Sequence, residues 1–136
     1  MINRPPKILV IKSDVSELKK VENFLIDIFN KCNIEMKYFN KIYLCISEAV
    51  VNAVKHGNKN DLNKNVSIYV DCTLQDMKVQ IEDEGEGFDL KEVDIPIKEE
   101  NLKNESGRGI FIIRKLSNTI EYNEKGNRVQ FKIECK

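Results

Sequence analysis

Ile46-Ser-Glu-Ala-Val-Val-Asn-Ala-Val54 is apolar on nearly every side, yet it carries Glu48 and Asn52 four residues apart. A helix that is hydrophobic all round is a buried one, so two polar side chains inside it need a reason. Each step of four residues advances only ~40° around a helix. Glu48, Asn52 and, four further on, His56 are therefore expected to form one polar stripe. A buried carboxylate without a partner is costly, so the stripe is expected to line a cavity that takes water, a cation or a ligand. The competing reading is a solvent-facing stripe on an amphipathic helix. The helix is expected from about Met36 to His56, stopped by Gly57-Asn58.

Upstream of this helix, Lys7-Ile-Leu-Val-Ile-Lys12 has the fully apolar centre of a strand. Asp14 and Glu17 form a candidate capping pair, and Leu18, Val21, Leu25, Ile28, Phe29 and Cys32 recur at three and four as one apolar helical face. Downstream, Val66, Ile68, Val70 and Cys72 share one face of a strand; after a Gln75-Asp76 turn, Met77, Val79 and Ile81 share one face of the next. Asp83 keeps the parity of Met77, Val79 and Ile81, so it points to the apolar side. The glycines of Glu84-Gly85-Glu86-Gly87-Phe88 let the backbone turn sharply or approach a ligand closely. Residues 84–106 are acidic and aperiodic, a loop long enough to need a purpose. It closes on Glu105-Ser106-Gly107-Arg108-Gly109-Ile110, with a helix starting near Gly107. A helix start presents free N–H groups and a positive dipole end, which favour an anion such as phosphate. Strands at about 118–122 and 128–135 finish the chain. The order β-α-α-β-β-loop-α-β-β implies an α/β domain of the two-layer α+β kind, with an antiparallel or mixed sheet and helices on one face.

With 136 residues, the range 1–136 is expected to be a single domain. Lysine plus arginine and aspartate plus glutamate are 22 each, which argues against a basic footprint for nucleic acid. Four dispersed cysteines and one histidine make a zinc site unexpected, and Cys45 and Cys72 are expected to act as small core hydrophobes. Met1 to Pro6 lacks an apolar signal segment, and no apolar stretch is long enough to span a bilayer. A reduced cytoplasmic protein without membrane contact is the expectation.

Taken in order, the helical Glu-x-x-x-Asn, the strand-end Asp-x-Gly-x-Gly and the Gly-x-Gly after a long loop resemble the GHKL (Bergerat-fold) ATPase superfamily. Within it, Ile46-Ser-Glu-Ala-Val-Val-Asn-Ala-Val-Lys-His-Gly57, Glu82-Asp-Glu-Gly-Glu-Gly87 and Ser106-Gly-Arg-Gly-Ile110 look like the bacterial anti-sigma-factor serine/threonine kinases. The resemblance implies ATP and Mg²⁺ as cofactors. It assigns magnesium coordination to Asn52, the general base toward a protein hydroxyl to Glu48, and the adenine amino group to Asp83. Gly85 and Gly87 would make room for the base, 88–106 would form a flexible lid, and Ser106, Gly107, Arg108, Gly109 and Ile110 would cradle the phosphates. It further implies a sigma factor and a STAS-type anti-anti-sigma protein as partners, and a homodimer. Two positions depart from the pattern. Glu105 stands where some members have arginine, and Gly126-Asn127-Arg128 stands where members often place a threonine. An ATP-dependent binding module without catalysis is the alternative. A sensor histidine kinase would need a phosphoacceptor histidine on a dimerisation helix, and the one histidine is His56. A receiver domain, suggested by Lys7 to Asp14, would need a β/α alternation that the hairpin at 66–81 interrupts.

Overall fold

Period-two alternation of apolar and polar residues dominates the chain's second half, and each alternating run is a strand. The structure, a computed structural model, describes residues 7–73, 75–86 and 105–135, with only the backbone described at 105–108. The strands are β1 (Lys7–Lys12), β2 (Asn65–Cys72), β3 (Asp76–Glu82), β4 (Thr119–Tyr122) and β5 (Arg128–Glu134). They lie in the order β1-β2-β3-β5-β4, and every neighbouring pair is antiparallel. The register sets inward residues in rows across the sheet. Leu9 faces Ile68, Ile68 faces Ile81, Ile81 faces Val129, and Val129 faces Tyr122.

Among the described residues, three α-helices cover that inward face: α1 (Leu18–Cys32), α2 (Phe39–Asn52) and α3 (Glu105–Leu116). Val21, Leu25, Ile28 and Phe29 are the buried residues of α1, as its spacing predicts, with Leu18 and Cys32 partly buried at its ends. Phe39 meets Phe29 edge-on at 5.3 Å and stacks on Tyr43 at 5.8 Å, which fixes the start of α2 against α1. Asn33 ends α1 in the left-handed region (φ 55°), its N–H donating to the Phe29 carbonyl.

One local expectation fails. Asp14 accepts from the Ser16 N–H at 2.9 Å and caps a one-turn 3-10 helix, so it sits ahead of α1 rather than at its first turn. Glu17 does not return the bond and pairs instead with Lys20 at 3.0 Å. Strand β1, with its fully apolar centre, is an edge strand whose Ile8 and Val10 are 55% and 53% exposed, and Ile11 alone of its residues is fully buried. An apolar run does not reveal how many neighbours a strand will have.

Candidate functional site

Helix α2 delivers the first two residues. Asn52 is buried (6% exposed), and Glu48, one turn earlier, is half-buried. Helix α3 packs across α2 at this point. A Cβ on Gly109 would lie 2.8 Å from Asn52 Nδ2 and 3.2 Å from Glu48 Oε2, so any larger residue there would have to displace the ends of those side chains. Asn52 Oδ1 is buried there with no hydrogen-bond donor. A buried acceptor left unmatched costs about 1–3 kcal/mol, and a protein that keeps one normally has a use for it.

His56 does not continue the stripe. From Ala53 to Gly57 the chain winds as a π-helix, with the Asn58 N–H donating to the Ala53 carbonyl at 2.8 Å. The wider turn changes the phase, so His56 is exposed while Gly57 faces the sheet. Such π turns are frequent at functional sites.

Asp83 leaves β3 on its inward face, as parity predicts, and is 4% exposed. The Gly85 N–H donates to its Oδ1 at 2.8 Å. Burial pushes the Asp83 carboxyl above its ordinary value, and the Gly85 hydrogen bond only partly opposes this. Its backbone is clamped by Asn127: the Asp83 N–H donates to the Asn127 carbonyl at 2.9 Å, and Asn127 Nδ2 donates to the Asp83 carbonyl at 2.9 Å. Asn123 Nδ2 in turn holds Asn127 Oδ1 at 2.7 Å. The Gly126-Asn127-Arg128 departure therefore supplies the aspartate with support from the last hairpin. A narrow cleft of about 20 Å³ runs between Ala49, Asn52, Ile81, Asp83, Tyr122 and Asn127. That is room for one or two waters, so its walls must part for anything larger.

Gly85 serves the protein's own packing. A Cβ there would overlap the Gly57 carbonyl and lie 2.9 Å from Asp83 Oδ1, and a Cβ on Gly57 would overlap the Asp83 carboxylate. The two glycines bring the π turn and the end of β3 into contact around Asp83. Gly85→Ala must push backbone from backbone. It is expected to lower stability by about 1–3 kcal/mol, read as a shift in the denaturation midpoint.

Two residues escape sequence reasoning. Gly57 reads only as a helix stop. Asn58, 1% exposed, donates to Ser13 Oγ at 2.8 Å and to the Asn65 carbonyl at 2.9 Å, and accepts from the Glu84 N–H at 2.8 Å. It ties the exit of β1, the start of β2 and the end of β3 into one junction, and the Glu84 carboxylate accepts from the Asn65 N–H across it. The one available signal was their adjacency to the polar stripe.

Helix α3 begins at Glu105, two residues before its expected start, so Ser106, Gly107, Arg108, Gly109 and Ile110 form its first turn and a half. Gly87 and residues 88–104 of the expected lid lie outside the described residues, as do the side chains at 106–108. Among the described residues no helix is long and apolar enough to cross a membrane, and no cluster of three or more ligating side chains could hold a metal by itself.

Comparison with known proteins bears on this geometry. The chain is 35% identical over 91 residues to the serine-protein kinase RsbW of Staphylococcus aureus, in strains JH9 and Newman alike. The alignment covers 61% of this chain and 57% of that protein, so the match spans little more than half the length of these relatives. The fold matches the solved RsbU and RsbW domains of a Mycobacterium tuberculosis protein with a TM-score of 0.66, over 98% of this chain and 32% of that one, at 14% identity. That is a likeness of fold. Residues 11–133, which include every element that builds the site, match the family described as the histidine kinase-like ATPase domain, and the chain belongs to that family.

Proposed function

We propose that the chain binds ATP with magnesium and acts as an anti-sigma factor with serine/threonine protein kinase activity toward a STAS-type anti-anti-sigma protein. The observation that carries this reading is Asn52 Oδ1, a buried acceptor without a donor, one turn from a carboxylate and beneath Gly109 of α3. Magnesium takes oxygen ligands and shares phosphates with one or two protein groups, so an orphaned amide oxygen suits it. Asp83 accepts from the adenine amino group, with Gly85 and Gly87 beside it. Ser106 to Ile110, at the N-terminal end of α3, meet the phosphates, where a helix start favours anions. Bound ATP and magnesium supply the phosphoryl group and neutralise its charge. Glu48 orients the partner's hydroxyl and accepts its proton, the one proton-handling group such a transfer needs. The relatives' name, serine-protein kinase, supports the reaction class. A sigma factor as second partner, a homodimer and a cytoplasmic setting belong to the same reading.

Incubation with γ-labelled ATP and a STAS protein is expected to label a serine or threonine of that protein. Nucleotide-dependent binding without transfer would replace the kinase by an ATP-dependent binding module, and Glu105 in place of arginine would be the first residue to exchange.

Asp83→Asn separates the fold from the ligand. The amide still accepts from Gly85 but presents N–H to the adenine amino group, so ATP affinity is expected to fall by about 1–3 kcal/mol in calorimetry. Stability moves the other way. The folded protein holds the Asp83 proton more tightly than the unfolded chain, whose carboxyl titrates near 3.8. The carboxylate therefore costs stability progressively as pH rises from there through the folded value. The asparagine variant is expected to melt higher at neutral pH, and the gap should close as pH falls below that range. Equal ATP affinity in variant and parent would sink the adenine assignment.

A further inference from the structure

Three of the four cysteines gather at the end of the sheet remote from Asp83. Cys72 faces Met77 and Met77 faces Ile133, whereas the other end of the same ladder pairs Ser67 with Glu82. Cys135 follows Ile133 and donates its N–H to the Gln75 carbonyl at 2.8 Å. Cys32, the last residue of α1, comes down onto Cys72. Both line one cavity of about 340 Å³, together with Lys7, Ile28, Lys31 and Asp71. The two thiols share a hydrogen bond. All four cysteines are thiols rather than disulfides, and Cys32, Cys72 and Cys135 are half-buried where Cys45 is fully buried.

We propose that Cys32 and Cys72 are a redox-active pair, oxidised to a reversible disulfide by hydrogen peroxide entering this cavity. The cavity is wide enough for a small oxidant, and two lysines line it. Cys32 is the attacking sulfur. It displaces hydroxide from peroxide, breaking the O–O bond, and becomes a sulfenic acid as one water forms. The Cys72 sulfur then attacks the Cys32 sulfur, forming the S–S bond, and the sulfenic hydroxyl leaves with the Cys72 proton as a second water. Two thiols and one peroxide yield one disulfide and two waters. Burial and the hydrogen bond to Cys32 hold the proton on Cys72, so Cys72 is not the sulfur that peroxide oxidises first. Cys135 already donates its thiol to the Ile133 carbonyl at 3.6 Å. Cys45, whose thiol burial pushes up to about 11, is the internal unreactive control. The disulfide would tie the last turn of α1 to the end of β2 and leave the Asp83 end of the sheet untouched.

The test is peptide mapping of the whole chain under non-reducing conditions, after peroxide treatment and alkylation. The expected product is one peptide pair joined through Cys32 and Cys72 within a single chain, released by dithiothreitol, with Cys45 reduced. Cys135→Ser is expected to keep the link and Cys32→Ser to lose it. Linkage through Cys135, linkage only between chains, or Cys32 sulfinic acid without linkage would each overturn the proposal. The parent chain carries the deciding measurement, so a poorly folding variant does not blunt it.

Discussion

Glu48→Gln is expected to slow phosphoryl transfer to the STAS partner by about 10²–10⁴-fold and to leave ATP affinity at the parental value. The carboxylate sits half-buried on α2, one turn from Asn52, with Gly109 of α3 closing over both. Glutamine keeps that shape, so the contact with α3 survives and the proton acceptor goes. Alanine would confound the two by opening space beneath Gly109. Single-turnover transfer from labelled ATP reads the chemistry, and calorimetry reads the binding. A variant that binds normally and transfers at the parental rate would leave Glu48 with a packing role only. A variant that loses binding and transfer together would place the carboxylate in the nucleotide site rather than at the partner's hydroxyl.

The parts of this site that were legible in the sequence are those encoded by a local period. Asp83 follows Ile81 by two, so strand parity turns it inward, and the structure has it buried. Glu48 and Asn52 stand out because every neighbour is apolar. What stayed hidden depends on residues far apart in the chain. Asn127 clamps Asp83 from 44 residues away, and Asn58 accepts from Glu84 across 26. No window of sequence contains both members of either pair. His56 was misplaced for a different reason: the stripe assumed α-helical phase, and the π turn at Ala53–Gly57 breaks it. That same turn carries Gly57 against the Asp83 carboxylate, so the irregularity that defeats the periodic reading also builds the pocket. The exposure of Ile8 and Val10 was hidden because strand order is a tertiary property. Their run is as apolar as that of a central strand, yet β1 takes the edge.

Asn52→Ala is expected to remove the magnesium-dependent part of ATP binding, a loss on the order of 2–5 kcal/mol, with each 1.4 kcal/mol worth about tenfold in affinity. The direction follows from two opposed effects at one atom. In the ligand-free protein, Oδ1 is a buried acceptor without a donor, a state that costs the fold free energy. Truncation to alanine removes that cost, so the variant is expected to melt no lower than the parent, apart from the small cavity it leaves. In the proposed nucleotide complex the same oxygen would be a ligand for magnesium, and truncation would remove it where the phosphates' charge most needs neutralising. A variant of unchanged stability that binds ATP equally with and without chelator would establish that role. A structural residue would behave in the opposite way, losing stability while the remaining folded protein kept its magnesium dependence. Thermal unfolding and calorimetry with and without chelator, run on the same preparation, distinguish the two.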